Sequence, residues 1–368
     1  MKFTVDQDVL LGALQSLQSV VEKKNTVLIL GNILCSVQDG KLSLSATDLE
    51  VGMTITVDVL SDLNGKITVP AKQFLDIIRE YKNQPVTIQK KTNDWVEIIQ
   101  EKSTADLVSL PADQFPQMPN FKDRTYSEIK NEAVTDMIGK TAFAVSTDAA
   151  RYNLNGVYFE QLENNLTRMT ATDGHRLSFV DQEVFLKSPE LKKGIIIPKK
   201  GLNELKRVIE KATSPVSLSF DKGFLYIKSE ETFLFVKLIE GEYPDYKQVI
   251  PKSADRLVRL DTQQFLSSLR RVILFADERS KGIKLSIKAG TVVIQATNPD
   301  LGAIVEELPA TYQGEAVDIG FNARYMLDCL PSIQSNELEF AFKDKASPGL
   351  LQGVTSRNHT YVIMPMRV

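Results

Sequence analysis

A short motif recurs at a fixed interval along this chain of 368 residues and indicates an internal repeat. The tripeptide Ala-Thr-Asp at residues 46–48 returns 125 residues later at 171–173, and as Ala-Thr-Asn another 125 residues on at 296–298. Three residues alone would be weak evidence, but the apolar pattern around each copy recurs in the same order. Self-similarity at a fixed period is the sequence signature of a repeat architecture. The chain is therefore predicted to hold three copies of one structural unit.

The same order of predicted elements surrounds the motif in each copy. An amphipathic helical pattern precedes it, and an apolar strand followed by a second helix comes after it. Helix starts are predicted near Asp6, Asn131 and Asp261, whose side chains can accept hydrogen bonds from the free amides of a first turn. Alternating segments separated by turn dipeptides predict antiparallel strands. The predicted fold class is α+β, with three repeated domains that each pack two helices on antiparallel sheets.

Two proline-bearing connectors separate the copies. Residues 111–120 and 243–251 lack apolar periodicity and contain the residues that favour turns. The predicted domains are accordingly residues 1–123, 124–251 and 252–368. Each has roughly 120 residues, close to the usual size of a domain with its own core.

The balance of charge argues against a simple nucleic-acid-binding surface. The chain has 44 basic and 47 acidic residues, a formal net charge of −3, whereas a protein that grips nucleic acid over a large area normally has a basic excess. The distribution is uneven, however, because residues 199–211 place five cations and two acids in one predicted helix. The corresponding predicted helices of the other copies also have basic residues, but fewer of them. Two interpretations stay open, an ordinary solvated face or a shared positive surface for a polyanion.

The sequence also bears on cellular location. It contains no run of 18 apolar residues, and its first residues enter a strand pattern and not a signal peptide, so no membrane association and a cytoplasmic location are expected. Cys35 and Cys329 lie in apolar segments far apart in the sequence. They are predicted to be buried reduced thiols.

The sequence offers few residues or motifs that could support catalysis. There are two histidines, and the sequence has no phosphate-binding glycine loop, no paired metal-ligand motif and no nucleophile elbow. The best candidate joins Asp173 and His175, but Asp-Gly is a common tight-turn dipeptide and the other two copies lack the histidine. The expectation is no catalytic residue, no metal and no cofactor. An enzyme built on Asp173 and His175 is kept as the competing hypothesis.

Several motifs in order make the whole chain resemble the family of bacterial sliding clamps, the β subunit of the replicative DNA polymerase III. They are Met-Lys-Phe-Thr-Val at 1–5, Leu-Gly-Asn at 30–32, Ala-Thr-Asp-Gly-His-Arg-Leu at 171–177, Tyr-Pro-Asp-Tyr at 243–246, Ile-Gly-Phe-Asn at 319–322 and Tyr-Val-Ile-Met-Pro-Met-Arg-Val at 361–368. The resemblance implies a head-to-tail homodimer that forms a closed ring of six domains, with helices inside and strands outside. Double-stranded DNA would thread the ring without sequence preference, which reconciles positive helices with a negative chain.

The resemblance also assigns residues to the DNA channel and to the dimer contact. The implied channel cations are Lys24, Lys72, Arg79, Lys140, Lys199, Lys200, Lys206 and Arg207. The implied dimer contact sets Leu274 and Phe275 of the third domain against Leu107 of the first domain. Ordinary domain core is the alternative for these three apolar residues.

A peptide-binding cleft is the third assignment that the resemblance implies. Family members dock the DNA polymerase III α subunit, the clamp loader, other DNA polymerases and repair proteins there through short linear peptides. The matching positions are Leu154, Thr172, Gly174, His175, Arg176, Leu177, Pro244, Val249, Asn322, Tyr325, Val362, Met364, Pro365, Met366 and Arg367. Methionines can adapt to varied apolar partners, and Arg176 or Arg367 is expected to bond partner carbonyl groups.

Two departures from the family pattern fall at the rim of this cleft. Gln248 and Ser280 stand where relatives can carry a basic and an aromatic residue, so a weaker or differently selective rim is expected. A three-domain scaffold that binds peptides without encircling DNA is the second competing hypothesis.

Overall fold

The computed structural model describes residues 1–21, 27–121, 123–163, 166–184, 186, 188–221, 223–251 and 254–367. The α-helices within these ranges are α1 Gln7–Leu17, α2 Ala71–Glu80, α3 Asn131–Thr141, α4 Pro189–Lys193, α5 Lys199–Lys211, α6 Thr262–Val272 and α7 Ala323–Cys329. None of these described helices is long and apolar enough to cross a membrane.

Short strands make up most of the remaining regular structure. In chain order they are β1 Lys2–Asp6, β2 Asn32–Gln38, β3 Lys41–Thr47, β4 Val51–Asp58, β5 Leu60–Leu63, β6 Gly65–Pro70, β7 Pro85–Lys90, β8 Trp95–Gln100, β9 Ser103–Val108, β10 Ser127–Glu128, β11 Gly156–Gln161, β12 Thr167–Thr172, β13 Arg176–Gln182, β14 Ile195–Pro198, β15 Ser217–Asp221, β16 Phe224–Ser229, β17 Thr232–Lys237, β18 Arg256–Asp261, β19 Gly282–Lys288, β20 Thr291–Asn298, β21 Gly302–Pro309, β22 Val317–Asn322, β23 Glu337–Phe342, β24 Gly349–Gly353 and β25 His359–Ile363.

The order of these elements confirms the predicted repeat. Each third of the chain runs strand, helix, three strands, one strand, helix and three strands, with β5 added in the first third and α4 added in the second. Every strand pair within the described sheets is antiparallel, for example β3 with β4 and β12 with β13. The α+β class predicted from the sequence is therefore correct.

The chain divides into two compact units. The first unit contains Met1–Asn131 and Lys200–Leu238, and the second contains Glu132–Lys199 and Ile239–Val368. The sheets of the first unit have the orders β5-β1-β7-β8-β9 and β10-β15-β16-β17-β4-β3-β2-β6. Those of the second unit have the orders β14-β11-β12-β13-β25-β24-β23-β18 and β21-β20-β19-β22. Each eight-stranded sheet thus joins strands from two successive thirds, and the domain limits at 123 and 251 stay a prediction.

The repeated tripeptide forms the same tight turn in the first two copies. Thr47 Oγ1 donates to the carbonyl of Val51 at 3.0 Å, and Asp48 Oδ1 accepts from the amides of Glu50 and Val51 at 3.0 and 2.7 Å. In the second copy Thr172 Oγ1 donates to the Arg176 carbonyl at 2.6 Å. These bonds let the side chains satisfy backbone groups of the turn, which explains the recurrence of this residue pattern.

The predicted helix starts agree with the structure in position, but they are capped in different ways. Asp261 is a true N-cap, because its Oδ1 accepts from the Gln264 amide at 2.7 Å. Asp6 precedes α1 without a side-chain cap bond. Asn131 instead accepts from the Val216 amide at 2.9 Å and donates to the Ser214 carbonyl at 3.1 Å.

Both cysteines are buried and free, as the sequence predicted. Burial raises the pKa of the Cys35 thiol to about 12, which keeps it protonated at neutral pH. Cys329 lies on the buried face of α7 in the core of the second unit. The two residues therefore act as small apolar core side chains.

Candidate functional site

The C-terminal segment of the second unit connects two turns that carry predicted site residues. The Met364 amide donates to the carbonyl of His175 at 2.9 Å, and the Met366 amide donates to the carbonyl of Gly320 at 2.9 Å. Residues 364–366 therefore lie along both the turn between β12 and β13 and the junction of β22 with α7. This segment and these two turns are called the partner site below.

Aromatic and amide contacts fix the side of the partner site formed by α7. The His175 ring stacks near the Tyr325 ring, with centroids 6.3 Å apart. Asn322 caps α7 by accepting from the Arg324 amide at 2.9 Å, and its Nδ2 donates to the carbonyl of Ser280 at 2.9 Å. Ser280 thus takes part in the support of this side through its backbone.

An apolar floor lies beside these groups. Leu177 and Val362 face each other on the paired strands β13 and β25, and both are almost fully buried. They form one cluster with Phe179 and Tyr246, against which Tyr243 is packed.

The loop that carries Pro244 and Val249 joins the same cluster. Ile250 at its end packs against the cluster, while Pro244 and Val249 themselves are exposed. Asn153, next to buried Leu154, donates to the carbonyl of Glu242 at 3.0 Å. Gln248 bonds Asp245 at 3.0 Å, so its amide is used within the loop.

The tyrosines around the floor are neutral at physiological pH. Burial raises the pKa of Tyr246 to about 12, helped by its hydrogen bond to Glu160. Burial also raises the pKa of Tyr243, whose ring stacks on that of Tyr158 at 4.9 Å between centroids. Neutral rings add apolar area to the site without adding charge.

Arg176 is engaged within the protein, and its predicted role as a direct partner of peptide carbonyl groups stays a prediction. Its side chain is 8% exposed. Its Nε donates to Asp173 at 3.0 Å, Nη1 to Asp328 at 2.7 Å and Nη2 to the carbonyl of Phe143 at 2.8 Å. The guanidinium also lies 4.6 Å from the centre of the Tyr325 ring. Arg176 therefore positions the turn and α7 through these three bonds.

Arg151 belongs to the partner site although no sequence pattern pointed to it. Its Nη1 donates to the carbonyl of Asp173 at 3.0 Å. An ideal Cβ at Gly174 would approach this nitrogen to 2.5 Å, and Gly174 has a φ of 88°. Glycine is therefore favoured at 174 by its backbone conformation, and a larger residue there would also displace the end of the Arg151 side chain. Arg151 lies in a short irregular helical segment without periodicity, which is why the sequence does not mark it.

The turn geometry favours the interpretation of Asp173 as a structural residue. Its Oδ1 accepts from the amides of His175 and Arg176 at 2.9 and 3.1 Å, and its Oδ2 accepts from Arg176 Nε. Both oxygens of the carboxylate are used in holding the turn, so Asp173 is not placed as the orienting acid of a catalytic histidine.

All fifteen residues predicted for the peptide cleft lie in the second unit. The contacts above bring together the segments 153–177, 243–250, 320–325 and 362–366. Arg367 is exposed, and its role as a donor to a partner stays a prediction.

The predicted channel cations divide into three groups. Lys24 lies outside the described residues. Lys72 is exposed on α2, while Arg79 is exposed beside Asp76 at 3.2 Å. Lys206 is 3.7 Å from Glu210, and Arg207 is 2.7 Å from Glu204. Helix α5 spans Lys199–Lys211 as predicted and presents Lys199 in its first turn, half-buried.

Two channel assignments need correction. Lys140 is 3% exposed and its Nζ contacts Asp136 at 2.8 Å, so its charge is not offered to a polyanion. Lys200 pairs with the buried carboxylate of Asp48 and donates to the Val20 carbonyl at 3.4 Å. Position on a basic helix does not reveal such internal pairing.

The residues predicted for the dimer contact lie on or near open sheet edges. Leu107 is part of β9, the last strand of its five-stranded sheet, and β21 is the last strand of the four-stranded sheet. Leu274 is 68% exposed at the end of the helical segment after α6. Phe275 packs partly against the core of the second unit.

Comparison with known proteins covers the whole chain. Residues 1–119, 128–245 and 247–367 match the family models for the N-terminal, central and C-terminal domains of the DNA polymerase III beta subunit. The beta sliding clamps of Caulobacter vibrioides and Pseudomonas putida are 35% and 32% identical, over the full length of both chains in each case. A crystal structure of the Caulobacter crescentus beta sliding clamp has a TM-score of 0.95 at 35% identity, covering 100% of this chain and 99% of that chain.

Proposed function

The chain belongs to the DNA polymerase III beta subunit family. We propose that the residues described above let it function as a DNA sliding clamp. As a sliding clamp of DNA replication, it acts with DNA and polymerase as a processivity factor. We propose that it does so without catalysis, as a head-to-tail homodimer closed around duplex DNA. The location proposed for it is the cytoplasm, where the DNA of a bacterium lies.

The repeat supports this ring through the strands that end each sheet. Strand β4 of the first third pairs with β17, the last strand of the second third, and β13 of the second third pairs with β25, the last strand of the third. By the same rule β21 would pair with the last strand of a following third. In a ring of two chains, the strand that pairs with β21 would be β9 of the second copy. In the single chain β9 and β21 each lie at the edge of a sheet and have no partner strand on that side.

The repeat also predicts the register of this proposed pairing. Val51 pairs with Val236, and Leu301 follows Val51 by two repeat periods. The hairpins β8–β9 and β16–β17 have the same register. Gln100 pairs with Ser103 at the turn of the first hairpin, and Ser229 pairs with Thr232 at the turn of the second. Leu107 is therefore the equivalent of Val236.

The proposed contact consequently sets Leu301 of one protomer opposite Leu107 of the other, and Val305 opposite Ser103. Leu301 and Val305 are 62% and 64% exposed in the single chain. Because the contact uses two different surfaces, it must close into a ring or continue into a filament. Closure is what the resemblance to six-domain rings implies.

The helices of the first unit offer the phosphate-attracting groups of the proposed channel. Helix α1 packs on α2 and is bonded to α5 through Ser16 and Lys211 at 2.8 Å. Exposed Lys72, Arg79 and Arg207 and half-buried Lys206 on α2 and α5 can attract phosphates without reading bases. Neutralisation of part of the charge by Asp76, Glu204 and Glu210 keeps this attraction weak. Weak, sequence-independent attraction is what allows a ring to slide.

The partner site is proposed to bind the short peptides of the polymerase α subunit, the clamp loader and other clamp-binding proteins. The apolar floor of Leu177 and Val362 suits an apolar peptide side chain, while Met364 and Met366 can adapt around it. Exposed Arg367 remains available to a partner carboxylate or carbonyl. Gln248 and Ser280 at the rim are proposed to alter which peptides bind, while the apolar floor of the site stays the same.

The observation that carries the ring is the complementarity of the edges β9 and β21, and it can be tested by mass. Leu274→Lys with Val305→Lys adds charge to two exposed positions of the proposed contact. Leu60→Lys with Leu63→Lys adds the same charge to β5, an edge strand for which the repeat supplies no partner.

In light scattering the unmodified chain and the β5 variant should have twice the chain mass of 41.1 kDa. The variant at Leu274 and Val305 should shift toward the single mass at the same concentration. A monomeric unmodified chain, or equal dimerisation of both variants, would contradict the proposed edge pairing. A peptide-binding scaffold without DNA encirclement predicts no such dependence.

A further inference from the structure

A cavity of about 650 Å³ lies within the first unit, away from the partner site. It is bounded by the C-terminal parts of α1 and α5, by β4 and by the turn between β16 and β17. Small-molecule and short-peptide sites usually have volumes of about 300 to 1,000 Å³. The cavity is therefore large enough to hold a few residues of a peptide.

Ser16 lines the cavity, and both Ser16 and Gly12 one turn before it are small where the corresponding helix of the second third has large polar residues. Helices α1 and α3 are both 11 residues long and occupy the same place in the repeat. Gly12 and Ser16 are the sixth and tenth residues of α1. Asp136 and Lys140 are the sixth and tenth residues of α3.

In the second unit the side chains of Asp136 and Lys140 are bonded to each other and to neighbouring segments. Lys140 is buried against Asp136, and Asp136 accepts from Gln182 of β13 at 2.9 Å and from Gln334 at 3.5 Å. These bonds connect α3 with β13 and with the chain that follows α7. In the first unit Ser16 Oγ donates to the carbonyl of Gly12 at 2.8 Å, Ser19 Oγ donates to the carbonyl of Ser16 at 2.9 Å, and Lys211 donates to Ser16 Oγ at 2.8 Å. Within the described residues, none of these side-chain bonds joins α1 to β4 or to the turn between β16 and β17.

The lining combines an apolar floor with unused polar groups at the mouth. Met53, Ile55 and Val208 supply the apolar part. Among the described residues, the side chains of Gln15, Gln18 and Glu231 form no hydrogen bond, while each lines the cavity. Two amides can serve the N–H and C=O groups of a peptide backbone, and a carboxylate favours a nearby cation.

Lys41 attracts the carboxylate of Glu231 from an exposed position on β3. The other charged residues that line the cavity form bonds within the protein. Arg207 and Ser19 both bond the buried carboxylate of Glu204, each at 2.7 Å. Lys211 is held by Ser16, and Glu230 accepts from the side chain of Ser214 at 3.3 Å. The carboxylates of Glu230 and Glu231 are exposed at the turn between β16 and β17.

We propose that this cavity is a second peptide-binding site, specific for a segment with one apolar side chain followed by lysine or arginine. The apolar side chain occupies the floor at Met53 and Ile55, and the cation lies beside Glu231. The site is separate from the partner site and uses only residues of the first unit.

The proposal can be tested on the full-length chain with the probe acetyl-Gly-Leu-Lys-Gly-amide. Methyl NMR of labelled methionine and isoleucine should show saturable shifts at Met53 and Ile55. The variant Gly12→Asp with Ser16→Lys copies the pair that fills the corresponding space in the second unit. It should bind the probe at least tenfold more weakly. Gly12→Ala is the matched control, since no other atom lies within 4 Å of a Cβ added there, and it should bind as the unmodified chain does.

A second comparison separates charge recognition from cavity filling. Replacing the lysine of the probe with glutamine should weaken binding to the unmodified chain severalfold but leave binding to Glu231→Gln unchanged. The proposal is overturned by the absence of saturable binding, by shifts confined to Met364 and Met366, or by equal affinity of the folded Gly12→Asp, Ser16→Lys variant.

Discussion

Replacing Arg176 with methionine should destabilise the second unit and weaken peptide binding together. The guanidinium is 8% exposed and bonds Asp173, Asp328 and the Phe143 carbonyl at 3.0, 2.7 and 2.8 Å. Methionine keeps most of the length and apolar volume of the side chain but removes all three bonds. Asp328 then retains the exposed Arg324 and Asp173 retains the backbone amides of its turn, but both carboxylates lose their buried cation.

The expected loss follows from the burial of these groups. Breaking a buried ion pair by removing one partner costs about 3 to 5 kcal/mol. The side chains of Asp173 and Asp328 are 17% and 26% exposed, so water can partly solvate them. The loss should therefore lie near about 3 kcal/mol, the lower end of that range. Because Arg176 also holds the turn at Asp173 and contacts the Tyr325 ring, the partner site should lose its geometry.

Arg324 provides a matched control, since it pairs with the same carboxylate. Its Nε is 3.4 Å from Asp328, but its side chain is 69% exposed. Exposed pairs of this spacing contribute about 0.3 to 0.5 kcal/mol, so Arg324→Met should have little effect. Both variants should be compared by denaturant unfolding at one protein concentration and by titration with a clamp-binding peptide. A loss below about 1 kcal/mol for Arg176→Met, or equal losses for both variants, would refute the positioning role. Adding Asp328→Asn to Arg176→Met should restore part of the stability.

Two further predictions concern charge. In the first unit, Lys72→Glu with Lys206→Glu should reduce the salt dependence of binding to short duplex DNA. The slope of the logarithm of the binding constant against the logarithm of the salt concentration should fall in magnitude by roughly 0.9 for each phosphate that the variant no longer neutralises. Lys41→Glu with Lys102→Glu, on strand and turn positions, should change it little, and equal slopes in fluorescence anisotropy would remove α2 and α5 from the channel. In the second unit, burial and then the charge of Lys140 lower the pKa of His359 to about 4 from an ordinary value near 6.5, while Asp136 acts in the opposite direction. The unfolded chain therefore binds the proton first as pH falls, so His359 should cost stability progressively between pH 6.5 and 4, at about 1.4 kcal/mol per pH unit. Unfolding of the unmodified chain and of His359→Gln should thus diverge below pH 6.5, and parallel curves would contradict this assignment.

The repeated order of elements was predictable from the sequence because local chemistry determines it. The tripeptide places a hydroxyl and a carboxylate where a tight turn has unpaired amides, and the helices carry apolar faces of helical period. Prediction of helix α5 at residues 199–211 was correct at both ends for the same reason. The strands from different thirds that join in one sheet, such as β13 with β25, could not be read from local patterns, because their pairing depends on tertiary structure.

The site residues were harder to predict where a charge is used internally. Lys140 and Lys200 look like Lys206 in the sequence, yet Lys140 is buried beside Asp136 of its own helix and Lys200 pairs with Asp48 of a distant turn. The bond from Arg176 to Asp328 could not be predicted, since Asp328 lies 152 residues away in sequence. Arg151 was not predicted because its contact with the carbonyl of Asp173 joins segments that are 22 residues apart in sequence.

Run-off from circular DNA tests whether this chain holds DNA by enclosure. The chain would be loaded onto nicked circular duplex with a clamp loader and ATP, isolated by gel filtration, and the DNA then cut once by a restriction enzyme. Enclosure by a sliding ring predicts stable retention on the circle and loss from the DNA after cutting, with retention restored by blocks at both ends. Equal retention before and after the cut, or no retention on the circle, would contradict the account.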